Sequence, residues 1–412
     1  MPCQEETAIS CAGGGGSRQP GYQKNYLALW WVVGAIAYLL IGPAPAAWGQ
    51  EKSPILIGAT VSLAGKYQEP SIAIRDALNL WETQVNQRGG LLGRPVKLIF
   101  YDDQSKEELV RKFYEKLVKE DRVHLVFSPY SSELTLAASE ITERHKIIMM
   151  AATASAEAIW QRGYKYIFGI YAPARRYLIG FLDLMGRHGL ESAAILYENS
   201  PFNSSAAQGA QEWAGRFGIK ITYLEAYPQE STELPQHLGK ALATAADGLI
   251  ICAYPADCHK FLKLLQSAKS RPKAVCMTIG PALPSFYSQA GSMAEGVFGP
   301  SQWEADTRMP FPGTMEFIES YQSLYQRPPS YHAGSVYAGC QILEKALTRT
   351  KSLDPGKLRE YILSLDTVTV IGRFRVDATG MQIGHNPILI QWQNGKKEIV
   401  YPSNMQTAPA RF

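Results

Sequence analysis

The stretch "VKLIFYDDQSKEELVRKFYEKLVKEDRVHLVFSPYSSELTLAASEI", residues 96–141, decides the fold of this chain. Two short apolar runs, 96–103 and 123–128, are each followed by a longer amphipathic segment, 106–120 and 132–145. Strand, helix, strand, helix is the pattern of βαβ units on a parallel sheet. Working outward, "ILIGATVS" (55–62) reads as a strand, "IAIRDALNLWETQVNQR" (72–88) as a helix stopped by Gly89 and Gly90, and "KIIMMAA" (146–152) as a fourth strand. A second series follows, with strands at 192–199, 220–227, 248–254 and 274–280 and helices at 204–218, 234–245 and 258–268. Pro- and Gly-containing segments near 171–176 and 297–302 join the blocks. Two more helices, "MEFIESYQSLYQR" and "SVYAGCQILEKALTRT", precede a closing pair of strands. The expected fold class is α/β, with two Rossmann-like lobes built on parallel sheets and a hinge between them. In such sheets ligands sit beyond the carboxyl ends of the strands.

Composition narrows the function. The chain has 412 residues, 46% hydrophobic and 19% charged, which is globular and long enough for two domains. A net charge of +4, from 41 basic and 37 acidic residues without a long basic block, argues against a nucleic-acid partner. No G-x-S-x-G elbow, Walker loop or H-E-x-x-H helix occurs, and the seven histidines are dispersed, so no catalytic residue is assigned. Asp102 and Asp103 are adjacent on a strand and point to opposite faces, which suits a strand end or helix cap better than an acid pair.

The amino terminus carries a 16-residue uncharged run, "LALWWVVGAIAYLLIG" (27–42), preceded by Arg18 and Lys24 and followed by "PAPAAWGQ". It is shorter than the roughly 20 residues a spanning helix needs, and reads as a secretory signal. Cleavage is expected after Gly49, with Ala46 and Ala47 as alternatives, which makes the mature protein periplasmic or otherwise extracytoplasmic. Residues 1–22 read as an extension. Cys3 and Cys11 fall in it, leaving Cys252, Cys258, Cys276 and Cys340. Cys252 and Cys276, in consecutive strands, are the first candidates if a disulfide forms. Cys252, Cys258 and His259 match none of the usual zinc spacings, so neither metal nor cofactor is expected.

The segment "GATVSLAGKYQEPSIAIRDALNLWETQVNQRGGLLGRPVKLIFYDDQS", with "FSPYSS", "AATASAEAI", "RGYKYIFG", "ADGLIICAYPAD" and "AEGVFGP" after it, resembles the branched-chain amino acid (Leu/Ile/Val) substrate-binding proteins of ABC importers. The resemblance implies a type I periplasmic binding protein: two lobes joined by three crossovers, closing on a small ligand and delivering it to a membrane permease. It divides the chain into 1–49 (extension and signal), 50–173 (first lobe), 174–299 (second lobe), 300–383 (first lobe and hinge) and 384–412 (closing strand of the second lobe). It implies a binding protein, not an enzyme. A sensor that reports occupancy to a membrane receptor or kinase is the alternative.

The resemblance also nominates ligand residues. Ser131 or Ser132, capping helix 132–145, would aim a hydroxyl and free N–H groups at a carboxylate. Thr153 and Ser155, before a second helical stretch, would do the same from beside them. Tyr67, Phe202 and Tyr254 stand where the family lines its cleft with rings. Two departures stand out. Amino acid binders of the family bring an acid from the second lobe to the ligand ammonium, whereas no acid lies between Pro272 and Pro284 and Gly280 or a neighbour takes that place. The family aspartate near the first crossover is replaced within "YAPARRY", which offers Arg175 and Arg176 for a second anionic group. An unpaired buried ammonium costs several kcal/mol, so a carboxylate, amide or aromatic acid is the expected ligand class. The family's early disulfide is absent, with Ser105 and Tyr130 in its positions.

Overall fold

The computed structural model describes residues 53–309 and 311–412. The amino-terminal extension, the signal and its cleavage site lie outside the described residues, as do Cys3 and Cys11. Among the described residues no helix is long and apolar enough to cross a membrane.

Five parallel strands make the first sheet: β1 (Ile55–Val61), β2 (Val96–Asp102), β3 (Leu125–Phe127), β4 (Ile148–Ala151) and β5 (Ile167–Gly169), in the order β2-β1-β3-β4-β5. The helices α1 (Gln68–Gln87), α2 (Glu107–Lys119) and α3 (Ser132–Arg144) supply the crossovers. In α2, helical spacing puts Val110, Tyr114 and Leu117 on one buried face. The Tyr114 hydroxyl donates to the Phe127 carbonyl at 2.5 Å and so pins the end of β3, where the first lobe's site begins.

After α4 (Ile179–Arg187) the second sheet runs through β6 (Ser192–Glu198), α5 (Pro201–Ala214), β7 (Lys220–Tyr227), α6 (Leu234–Ala243), β8 (Gly248–Cys252), α7 (Pro255–Ser267), β9 (Ala274–Met277), α8 (Phe286–Ala290) and β10 (Phe298–Ser301). Its parallel strands lie in the order β7-β6-β8-β9-β10, the order of the first sheet repeated. Both orders reverse direction between the first and third strands, and such a reversal opens a crevice at the strand ends. The helices α5 and α7 begin about three residues earlier than the apolar period suggests, because Pro201 and Pro255 stand at the first helical position, where a missing N–H costs nothing.

The chain then returns to the first lobe. There α9 (Thr314–Tyr325) and α10 (Tyr331–Thr350) pack on α1 through Tyr325 to the Asp76 carbonyl (2.8 Å), Tyr337 to Gln84 (2.5 Å) and Trp81 to Glu344 (2.5 Å). Beyond α11 (Pro355–Ser364) and a hairpin of β11 (Thr367–Thr369) and β12 (Gly372–Phe374), β13 (Ile388–Gln393) adds antiparallel to β10 and β14 (Lys396–Tyr401) antiparallel to β13. Segments 170–178, 302–313 and 375–387 are therefore the three passages between lobes. Among the described residues the four cysteines, Cys252, Cys258, Cys276 and Cys340, are buried and free. The register sets Ile250 opposite Cys276, so Cys252 lies two residues beyond its candidate partner.

Candidate functional site

The two crevices face each other and enclose one small cavity, lined by Tyr130, Ser131, Ser132, Thr153, Ser155, Tyr171, Tyr177, Phe202, Tyr254, Ile279 and Tyr331. All four hydroxyl residues nominated from sequence meet there, with Phe202 and Tyr254. Tyr67 stands one ring behind, edge-on to Tyr130 at 5.4 Å and Tyr254 at 5.1 Å.

On the first lobe the loop after β3 turns sharply. Ser131 has φ 99° and ψ 162°, a region open essentially to glycine alone and costing about 1–3 kcal/mol in any other residue. That conformation lets its side chain cap α3, accepting from Leu134 N at 3.3 Å, and leaves Ser132 and Glu133 N–H as the helix's unclaimed donors. Ser132 Oγ accepts from both Ser155 N (3.2 Å) and Ala156 N (3.1 Å), tying the neighbouring turn to the helix start. Thr153 Oγ1 donates to Pro129 O at 3.4 Å, and Ser155 Oγ to the Tyr177 hydroxyl at 3.3 Å. The segment after Ser155 is a three-residue 3-10 turn, Glu157–Ile159, and not the second helix expected. From this lobe α3 brings its N-terminus to the cavity, and α10 reaches it with its first residue, Tyr331.

The Tyr67 loop is held from β2. Asp103 accepts from Thr60 Oγ1 (2.7 Å) and Ser62 Oγ (2.5 Å), and Ser105 Oγ accepts from Tyr67 N (3.1 Å) while donating to Ala64 O (2.9 Å). Hydrogen bonds thus fix the loop where the resembling family uses a disulfide.

The second lobe presents rings and an aliphatic side chain. Phe202 opens α5, Tyr254 caps α7, and Ile279 sits at φ 58°, ψ −63° with Gly280 N donating to Thr278 O at 2.6 Å. That is a γ-turn of the strained hand, rare for a β-branched residue. Rings link the walls: Tyr177 to Phe202 at 5.0 Å, and Tyr171 to Tyr331 at 5.6 Å. Burial holds the Tyr130, Tyr171, Tyr254 and Tyr331 phenols well above the usual tyrosine range, so they remain neutral donors. The Tyr171 hydroxyl has no partner among the described residues.

Among the described residues no carboxylate lines the cavity. One lies close by: Glu198, 4% exposed at the end of β6, hydrogen-bonded by Asn203 Nδ2 at 3.0 Å. Burial pushes its carboxyl up to about 7, against the pull of the Lys66 charge. Its neighbours include the Tyr67 and Tyr254 phenols, which its charge raises further. Sequence reading missed it, although an acid closing the buried strand "AAILYE" at the cleft end was the available signal.

Lys66 bridges the lobes, donating to Gln229 Oε1 at 2.7 Å with its ammonium 4.9 Å from the Tyr67 ring centre. Ser285 and Glu69 make a second bridge at 2.6 Å. The cavity between them is about 20 Å³, room for one water, so these bridges must part and the rings turn to admit any larger molecule.

Neither arginine reaches the cavity. Arg175 is clamped on α5 by Glu212 and by Gln208 Oε1 at 3.0 Å, where Gly209 lets the helix approach its backbone. Arg176 points into a separate cavity at the hinge. The residues missed from sequence, Tyr130, Tyr171, Tyr177, Ile279 and Tyr331, are mostly in passages or at the start of α10, where only the return of the chain decides what they face.

The family described as "Periplasmic binding protein" matches residues 54–397. A Leu/Ile/Val-binding protein homolog of Brucella suis is 22% identical over 398 residues, covering 92% of this chain and 97% of its own. A leucine binding protein from Thermotoga maritima superposes with a TM-score of 0.77 at 15% identity, covering 84% of this chain and 97% of that one. A solute binding protein of an ABC transporter from R. palustris, in complex with benzoate, superposes at 0.73 with 17% identity, covering 84% and 96%.

Proposed function

Since the chain belongs to the periplasmic binding protein family, we propose that it is the extracytoplasmic solute-binding component of an ABC importer, exported by its amino-terminal apolar run, and that it closes on a small carboxylate with an apolar body. One observation carries the ligand class: the cavity joins four hydroxyl residues and a helix N-terminus on one side to rings and Ile279 on the other, with no carboxylate in its lining. A carboxylate suits the first wall, whose donors are neutral hydroxyls and unclaimed N–H groups. The second wall suits a flat or branched apolar body. An ammonium would find no counter-charge there. The benzoate complex of the R. palustris protein agrees with this chemistry.

Closure follows from the two inter-lobe bridges at Lys66 and Ser285: the open arrangement admits ligand, and contacts from both lobes favour the closed one, which a permease would recognise. Glu198 favours a second reading, an α-amino acid whose ammonium turns toward it, as the name of the T. maritima leucine binding protein would suggest. A thermal-shift screen of the mature protein separates the two. A ligand at a hundred times its Kd stabilises by about 2.7 kcal/mol. Benzoate-like acids are expected to raise the melting temperature by several degrees and leucine, isoleucine and valine to leave it unchanged. The reverse result would replace the first reading by the second.

A further inference from the structure

A cavity larger than that of the cleft lies at the hinge. It measures about 440 Å³ and is bounded by residues from all three passages between the lobes: Arg176 from the first, Gln302 from the second, and Gly384 to Ile388 from the third. Its volume lies within the range of small-molecule sites. Ile179, Ile371, Pro387 and Ile388 make its apolar wall. Most of its polar groups are engaged, and one charged group is not. Arg176 makes no ion pair or side-chain hydrogen bond among the described residues, whereas its lining neighbour Arg373 is bound to Asp366 at 2.6 and 2.8 Å. Gln302, 1% exposed, receives Ala172 N on its Oε1 at 3.0 Å, and its buried amide group lies beside the Tyr177 hydroxyl. His385 is oriented by its Nε2 on the Gln302 carbonyl at 2.8 Å, and burial lowers its pKa to about 4, so it adds no charge.

We propose that this hinge cavity is a second ligand site, taking an unbranched aliphatic carboxylate whose head group lies on the Arg176 fork and whose chain lies along the isoleucines. A guanidinium matches a carboxylate in charge and geometry. A molecule touching all three passages distinguishes between lobe arrangements, because those passages must change when the lobes part; with the lobes bridged as described, it favours the closed arrangement. Arg176, which the resemblance placed toward the ligand cleft, serves here a different anion at a different place. The proposal does not rest on the identity of the cleft ligand.

The test is calorimetric titration of the mature protein with hexanoate, in the unaltered chain and in Arg176→Ala, Ile179→Trp and Ser155→Ala. Hexanoate is expected to bind the unaltered chain, to weaken at least tenfold in Arg176→Ala, to weaken similarly in Ile179→Trp, which fills the cavity, and to change less than twofold in Ser155→Ala. Arg176 has no side-chain partner to orphan among the described residues and Ile179 is only partly buried, so both variants should keep their melting temperature. No hexanoate binding, binding indifferent to Arg176→Ala, or binding lost in Ser155→Ala would each overturn the proposal, the last by placing hexanoate in the cleft.

Discussion

The two walls of the cleft are built on the same strand order and do opposite work. The first lobe's wall is polar, with its serine and threonine hydroxyls engaged: Ser131 caps its own helix, Ser132 holds two backbone N–H groups of the adjacent turn, and Thr153 and Ser155 have partners of their own. The second lobe's wall is made of Phe202, Tyr254 and Ile279, with its one nearby acid set behind the rings. A repeated topology thus fixes where a ligand sits, while the loop after each strand fixes which part of it is recognised. On the proposed reading, charge is recognised on one side and shape on the other.

The largest break in this contrast is Ser132→Ala. It removes the acceptor shared by Ser155 N and Ala156 N and leaves two buried donors unpaired, each worth about 1–3 kcal/mol. Chemical denaturation is expected to show a loss of about 3 kcal/mol together with weaker ligand binding; a loss under about 1 kcal/mol would mean that the turn stands without this hydroxyl. The corresponding break on the other wall is Glu198. Its folded pKa, about 7, exceeds the ordinary 4.5, so the folded state holds the proton more tightly than the unfolded chain. Its contribution is therefore full below about 4.5 and is lost as pH rises through about 7. The expected amplitude is about 2 kcal/mol, allowing for residual solvent access. Glu198→Gln should flatten that part of the stability profile, and a profile unchanged by the substitution would show that burial does not hold the proton. The same group sharpens the ligand question: an ammonium placed beside it would expel its proton at pH 7, whereas a bound carboxylate would not, and calorimetry in buffers of different ionisation enthalpy distinguishes the two.

What was legible in the sequence follows the same division. The strands and the hydroxyls at their ends were readable because a strand end, a turn and a cap are local events, written within about six residues at "FSPYSS" and "AATAS". The helix expected after Ser155 shrank to a 3-10 turn because the chain must leave at once for β5. The opposite wall was only partly readable. Phe202 and Tyr254 follow strand ends, but Tyr171, Tyr177 and Tyr331 face the cleft because the chain crosses between lobes, and no local period records a crossing. Glu198 was overlooked because the acid was sought after β9, where Ile279 stands, rather than at the end of β6. Arg175 and Arg176 are neighbours in sequence whose side chains separate onto α5 and into the hinge cavity, a divergence set by packing.

A smaller effect is expected at Ser131, and its sign is the informative part. Glycine adopts φ 99°, ψ 162° without penalty, so Ser131→Gly relieves about 1–3 kcal/mol of backbone strain and gives up only a few tenths from the lost cap. The variant should be about 1 kcal/mol more stable and yet bind ligand more weakly, since the hydroxyl at the helix start is gone. Greater stability with undiminished binding would show that the strained serine holds no ligand group.

The smallest expected effect tests whether the rings do more than fill space. Tyr171 presents a buried hydroxyl with no hydrogen bond among the described residues, in a cavity wall whose serine and threonine hydroxyls are all engaged. Removing an unsatisfied polar atom while keeping the ring costs nothing in packing, so Tyr171→Phe should leave stability unchanged or raise it by up to about 1 kcal/mol. If the hydroxyl is reserved for the ligand, affinity should fall severalfold at constant melting temperature of the unliganded protein. Equal affinity in Tyr171→Phe would assign that ring to shape alone, and would extend the apolar character of the second wall onto the first passage between the lobes.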